Sequence, residues 1–141
     1  MHTELYSAIN HIIEHGPNPA EFLVTRAPKE LAVDRVDRLL EAWALAYAHQ
    51  LRPPEGRNPV QFHSRDEGLR ELVDRLERDI VFRWPGFDSD EANQVARCVF
   101  EQLAVVDAAV ITFPIRDWTF SEVVLLRGEE NALVLAFLGE D

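Results

Sequence analysis

The stretch AAVITFPIRDWTFSEVVLLRGEENALVLAFL, residues 108–138, decides the fold of this chain. It contains three short runs of β-branched, aliphatic and aromatic residues, separated by the turn-like segments RDW (116–118) and GEEN (128–131). Short apolar runs between turn residues are typical of strands, and a brief glycine-containing turn favours a hairpin. The sequence therefore predicts a C-terminal three-stranded antiparallel β-meander.

The residues immediately before this stretch have the apolar spacing of helices. Ser64 and Glu67 match a capping box, in which the serine side chain and the glutamate side chain each bond a free backbone N–H. Asp88 or Ser89 would cap a second helix, whose apolar stripe continues to about Val106. Two central helices are therefore predicted ahead of the meander.

Two further helices are predicted nearer the N-terminus. One begins after Thr3 and ends near His15, where Gly-Pro follows, and a longer one runs from Pro28 to about Arg52. Between them, residues 20–26 are interpreted as a short helix or a single turn. The predicted fold class is α+β, with about four N-terminal and central helices packed against the meander in a single domain, residues 1–141.

The predicted strands are apolar almost without interruption, which indicates that both faces of the sheet are at least partly covered. A second face left uncovered by the chain itself would be a candidate for dimerisation or partner binding. The long helix offers a comparable surface in the stripe Val36, Leu40, Trp43 and Tyr47. A structural homodimer through either surface is therefore one functional hypothesis.

The charge of the chain limits the class of its partner. There are 25 acidic and 14 basic residues, for a net charge of −11. Residues 88–141 contain 11 acidic and 3 basic residues, a net of −8, so the imbalance lies mainly in the last third. A negative field repels phosphates, which argues against direct DNA or RNA binding and favours a basic protein partner or simple solubility.

Several other functional classes lack their sequence signature. No apolar run approaches the roughly 20 residues of a membrane span, and the first residues do not resemble a signal peptide, so no membrane association and a cytoplasmic location are expected. The one cysteine, Cys98, excludes an intramolecular disulfide framework. The sequence has no glycine-rich phosphate loop, G-x-S-x-G elbow or EF-hand spacing, and no cofactor is expected.

The segment HIIEH, residues 11–15, matches the H-x-x-E-H pattern of inverted zinc peptidases. His11 and His15 would lie on one helical face, with Glu14 as a general base. A catalytic zinc site also needs a third protein ligand, and nothing else in the sequence resembles these enzymes. Histidines in a last helical turn also interact favourably with the helix dipole, which is the preferred interpretation. A small metal-dependent hydrolase using these residues is the alternative.

Aromatic residues in predicted turns, with acidic residues beside them, form the candidate partner-binding set. Trp and Tyr dominate interface hot spots, and neighbouring carboxylates would speed the encounter with a basic protein. The predicted binding residues are Trp84, Phe87, Asp88, Asp90, Asp117, Trp118, Glu129 and Glu130.

The favoured function is therefore a non-enzymatic, acidic protein-binding domain. Its concrete form is an immunity protein or antitoxin that occludes a basic toxin, often a nuclease, by mimicking phosphate charge. This interpretation depends on the size of the chain, its charge and its lack of catalytic motifs. The metal-dependent hydrolase and the structural homodimer remain the alternatives.

Overall fold

The computed structural model describes residues 3–51, 59–112 and 120–139. The helices are α1 (Thr3–His15), α2 (Val33–Ala46), α3 (Arg65–Glu77) and α4 (Ser89–Leu103). The strands are β1 (Ala20–Arg26), β2 (Gln61–Ser64), β3 (Val105–Thr112), β4 (Phe120–Gly128) and β5 (Asn131–Gly139). The α+β class is confirmed.

The strands form one antiparallel sheet in the order β1-β5-β4-β3-β2. The predicted meander is present as β3, β4 and β5, with Leu125 opposite Val134 and a two-residue turn at Glu129 and Glu130. The predicted count of three strands is wrong, because β1 pairs with β5 and β2 pairs with β3. The last strand in the sequence therefore lies inside the sheet.

Residues 20–26 form the edge strand β1 instead of the predicted short helix or turn. The register sets Phe22 opposite Leu135 and Val24 opposite Leu133. Phe22 and Val24 pack against one core, whereas Leu23 packs against the other, which is the two-residue period of a strand. A seven-residue segment whose apolar residues are Ala20 and the run 22–24 cannot show by its own pattern whether it is a strand or a helical turn.

Helix α2 is shorter than predicted, at Val33–Ala46 instead of residues 28–52. It ends at Ala46 with Tyr47 as its C-cap, because the following residue, Ala48, has a left-handed backbone with φ of 58°. The Tyr47 hydroxyl then donates to the carbonyl of Phe22 (2.9 Å) and accepts from its amide (3.2 Å). This bond pair ties the end of α2 to the free edge of β1.

The sheet has a core on each face. The three-helix layer, α1, α3 and α4, covers one face, and α2 covers the other. Side chains alternate between the cores along each strand, so that Leu125 faces α2 and its neighbour Leu126 faces the three-helix layer. Helices of the chain itself therefore cover both faces of the sheet, as predicted. In the predicted α2 stripe, Val36, Leu40 and Trp43 are fully buried against the sheet and Tyr47 is 38% exposed, so most of this stripe is not a free dimerisation surface.

Both predicted helix caps are present. The Ser64 side chain accepts from the Glu67 amide, and the Glu67 carboxylate accepts from the Ser64 amide at 2.9 Å, which lowers the pKa of Glu67. Asp88 caps α4 by accepting from the Glu91 amide at 2.8 Å. Helix α4 ends at Leu103 and not near Val106, because Ala104 takes a left-handed conformation.

A buried arginine joins the three-helix layer to the sheet. Arg75 of α3 donates to the side chain of Glu71 and lies 2.7 Å from the Glu122 carboxylate on β4.

Among the described residues, no helix combines the length and apolar character needed to cross a bilayer.

Candidate partner-binding site

The loop between α3 and α4 presents two aromatic rings to solvent. We call residues 79–86 the aromatic loop. The rings of Phe82 and Trp84 stack with centroids 4.9 Å apart and planes 24° from parallel. Phe82 is 51% exposed and Trp84 is 64% exposed. Two exposed rings in contact form a contiguous apolar surface, and contiguous apolar patches often mark sites of protein interaction.

Hydrogen bonds within the aromatic loop fix its backbone. The carboxylate of Asp79 accepts from the amides of Val81 and Phe82, at 2.6 and 2.8 Å, which is the turn typical of an aspartate side chain. The Asp79 amide donates to the carbonyl of Trp84 at 2.9 Å, and the Arg83 amide donates to the carbonyl of Asp79. The residues that carry the two rings are therefore bonded to one aspartate.

Arg83, between the two aromatic residues, connects the loop to α3. Its backbone is left-handed, with φ of 61°, a conformation that costs a non-glycine residue free energy. Its guanidinium donates to both oxygens of Asp74, at 2.7 and 3.1 Å. These hydrogen bonds lower the pKa of Asp74 and raise that of Arg83. The left-handed residue thus lies between Phe82 and Trp84 in the chain, and its ion pair with Asp74 holds this turn of the loop against α3.

A buried asparagine anchors the base of the aromatic loop. The Asn18 side-chain amide donates to the carbonyl of Arg75 at 3.3 Å, and its oxygen accepts from the Ile80 amide at 2.9 Å. Gly86 lies where a Cβ would be 2.5 Å from the carbonyl oxygen of Leu76 and 2.6 Å from Pro17. Both ends of the loop thus pack closely on the segment that joins α1 to β1.

Phe87 is not part of this surface, although the sequence grouped it with Trp84. Its side chain is in the core, and its ring stacks on His11 of α1 at 5.2 Å with planes 5° apart. Asp88, the next residue, caps α4, while Asp90 is exposed on the first turn of that helix. Trp84, Asp88 and Asp90 are therefore exposed, and so is Phe82, which was not among the predicted binding residues.

Glu129 and Glu130 lie at the opposite end of the sheet. Gly139, at the end of β5, is beside Val81 of the aromatic loop. The two glutamates precede Asn131, at the other end of that strand. Nine strand residues span roughly 26 Å. The glutamates also line a cavity with three basic residues, namely Arg26, Lys29 and Arg127. They do not belong to one acidic surface with Asp90. The predicted residues Asp117 and Trp118 are outside the described residues.

The acidity of the last third is partly compensated inside the molecule. Asp107 pairs with Arg127 through two contacts of 2.7 Å, and Glu122 pairs with Arg75. Around the aromatic loop, residues 74–91 still contain six acidic and three basic residues, a net of −3. The segment that contains the aromatic loop therefore has a net negative charge, although fewer of its carboxylates are free than the composition suggests.

The HIIEH segment forms the end of α1, where the rings of His11 and His15 lie 4.9 Å apart but approach different carboxylates. His11 Nε2 lies 2.8 Å from the carboxylate of Glu91 and so ties α1 to α4. His15 is more exposed, and its Nε2 is 3.8 Å from Glu14. Within the described residues, no group of three or more histidine, cysteine or acidic side chains is arranged to hold a metal ion. The third ligand that a hydrolase would need is thus not found in that part of the chain.

Comparison of the chain with protein-family models, with curated proteins and with solved structures finds no match.

Proposed function

We propose that this chain is a non-enzymatic protein-binding domain whose binding surface is centred on Phe82 and Trp84 of the aromatic loop. The observation that supports this proposal most is the exposure of two stacked rings on a backbone fixed by hydrogen bonds. A rigid loop loses little conformational entropy on binding, so the burial of its rings adds directly to affinity. Aromatic anchors of this kind are typical of interface hot spots.

The proposed partner is a basic protein. The chain has a net charge of −11, and the segment around the aromatic loop is itself negative. Charge complementarity speeds association, while the buried rings would slow dissociation. The concrete form of this function is an immunity protein or antitoxin that covers the basic active surface of a toxin. Neither the hydrolase nor the homodimer gains a supporting contact, because His11 bonds Glu91 and the α2 stripe is buried.

Affinity capture with matched variants tests this function. The tagged protein, Trp84→Ser, Phe82→Ser and the control Leu45→Ser would each be used to capture proteins from native lysate at low and high salt. Leu45 is 84% exposed on α2, far from the loop, so its variant also removes an exposed apolar side chain. We expect one stoichiometric basic protein with the parent and with Leu45→Ser, and its loss with Trp84→Ser.

The purified pair then gives the quantitative test. We expect Trp84→Ser to raise the dissociation constant by about 30-fold or more, as the loss of a hot-spot residue does. We expect Asp90→Lys and added salt to reduce mainly the association rate. A partner that binds Trp84→Ser and the parent equally, or a partner that is acidic, would show that the proposed function is wrong.

A further inference from the structure

A groove between α3 and α4 collects three arginines in a chain dominated by acids. Its volume is about 440 Å³, and its lining includes Arg65 and Arg70 from α3 and Arg97 from α4, together with the α3 acids Asp66, Asp74 and Glu77. The apolar part of the lining is Leu69 and Val73. Because two separate helices supply the arginines, their convergence is a property of the fold and not of one charged helical face.

These arginines have almost no anionic partner within the described part of the chain. Arg70 and Arg97 make no ion pair or hydrogen bond with any described residue. Arg65 has one carboxylate contact, to Asp66 at 3.9 Å, and the Asp66 side chain is 83% exposed. The guanidinium of Arg65 lies 5.6 Å from the centroid of the Phe100 ring, which holds it at the groove.

The other acids of α3 are occupied elsewhere or lie at the far end of the groove. Glu67 accepts from Ser64 in the capping box, although the charge of Arg70 also contributes to its lowered pKa. The Asp74 carboxylate accepts from the two terminal guanidinium nitrogens of Arg83. Glu77 is 12 residues from Arg65, which is roughly 18 Å along a helix. The arginine end of the groove is therefore a local region of positive charge.

We propose that this groove binds a small amphipathic anion, with its carboxylate or phosphate head at Arg65, Arg70 and Arg97 and its apolar body on Leu69 and Val73. Planar guanidinium groups match the oxygens of both head groups and bind them in charge-assisted pairs. The groove has the volume typical of small-molecule sites, and its apolar side chains favour a short hydrocarbon body. This site is separate from the aromatic loop and does not depend on the protein-binding function.

Titration with four probes tests the proposal. Octyl phosphate and octanoate combine a head group with an apolar body, inorganic phosphate has only the head, and octanol has only the body. We expect saturable one-to-one binding of at least one of the two amphipathic anions, with shifts in the methyl NMR signals of Leu69 and Val73. Inorganic phosphate and octanol should each bind more weakly than that anion. The stronger of the two amphipathic probes identifies the head group.

Matched arginine variants assign the site. Arg70 and Arg97 are exposed, so Arg70→Gln and Arg97→Gln are expected to fold, which circular dichroism checks. Each should weaken binding by about tenfold, as the loss of a charge-assisted pair does. Arg38→Gln, the same charge change on the exposed side of α2, should leave binding unchanged. The proposal is overturned if neither amphipathic anion saturates, if octanol binds as well as both, or if all three variants behave alike.

Discussion

Gly68 lies where α3 comes closest to the sheet. A Cβ at this position would be 2.6 Å from the Cβ of Ala108 and 3.7 Å from the Phe100 ring. Alanine is the better helix former by about 1 kcal/mol, but close packing in the core opposes the added methyl group. We expect Gly68→Ala to lower the free energy of unfolding by about 1–3 kcal/mol, measured by urea denaturation.

A double-mutant cycle separates this contact from a general effect on α3. Ala108→Gly removes the methyl group that the new side chain would meet, although glycine in a strand has a cost of its own. Gly68→Ala should therefore be less destabilising in the Ala108→Gly background than in the parent. An equal loss of stability in both backgrounds would contradict the steric explanation.

At the residue scale, the sequence indicates which residue types matter but not which of them are exposed. Trp84 and Phe87 are three positions apart in the same predicted turn, yet one ring is 64% exposed and the other is 8% exposed. The difference depends on His11, which stacks on Phe87 from a helix more than 70 residues away in the sequence. Local sequence contains no signal for such a long-range contact.

The aromatic loop is held by a contact that is sensitive to pH. The hydrogen bonds from Arg83 lower the pKa of Asp74 in the folded chain. A carboxylate with a lowered pKa contributes its full stabilisation above the pKa of an unfolded aspartate, about 3.9. That contribution is lost as the pH falls through the lower, folded pKa. We therefore expect the loop to loosen in acid and to be unaffected at neutral and alkaline pH.

Fluorine NMR of fluorotryptophan-labelled protein measures this effect at Trp84. As the pH falls from about 5 to about 2, the Trp84 signal should move toward its position in an unfolded peptide. Asp74→Asn should produce the same shift at neutral pH, because the amide cannot form the ion pair. Asp66→Asn, at an 83% exposed position on the same helix, is the control and should have no effect. A Trp84 signal that is identical in Asp74→Asn and the parent would show that the pair does not hold the loop.

At the element scale, the elements with strong local signals are the ones predicted correctly. Helix α1 and the two caps, at Ser64 and Asp88, have residues whose side chains complete the helix end, and all are found where predicted. Strands β1 and β2 were missed because they are edge strands that pair with segments distant in the sequence. Residues 20–26 become a strand only because β5 supplies their hydrogen-bond partners, and β5 lies more than 100 residues later.

At the scale of the whole molecule, the order of the strands determines where the two candidate sites lie. The meander fixes the centre of the sheet, and the edge strands are added by segments from the first half of the chain. Helices α3 and α4 then pack side by side on one face, which forms the arginine groove and turns the aromatic loop outward at the end of α3. The arginine groove is not visible in the sequence, because it requires residues from two helices to meet, whereas Trp84 of the aromatic loop was among the predicted binding residues.

The two layers that flank the sheet share its strands, so we expect them to unfold together. Neighbouring residues of β4, such as Leu125 and Leu126, enter opposite cores, and loss of either core exposes the strands that support the other. Polar contacts strengthen this link, since Glu21 of β1 accepts from Trp43 Nε1 at 3.1 Å and lies 2.7 Å from His49. The α2 layer is therefore bonded to the sheet edge as well as packed on its face.

A variant with Trp84→Phe and Trp118→Phe keeps one tryptophan, Trp43 of α2. Its side chain is fully buried against the sheet, so its fluorescence reports on the α2 layer. In urea, Trp43 fluorescence and helical circular dichroism should then give coincident transitions. Phe100→Ala, in the opposite core, should lower the free energy of unfolding by about 3–5 kcal/mol. Because the strands join the cores, it should shift both transitions equally. If Trp43 unfolds in a separate transition that Phe100→Ala does not move, α2 is an independent layer and the strands do not couple the two cores.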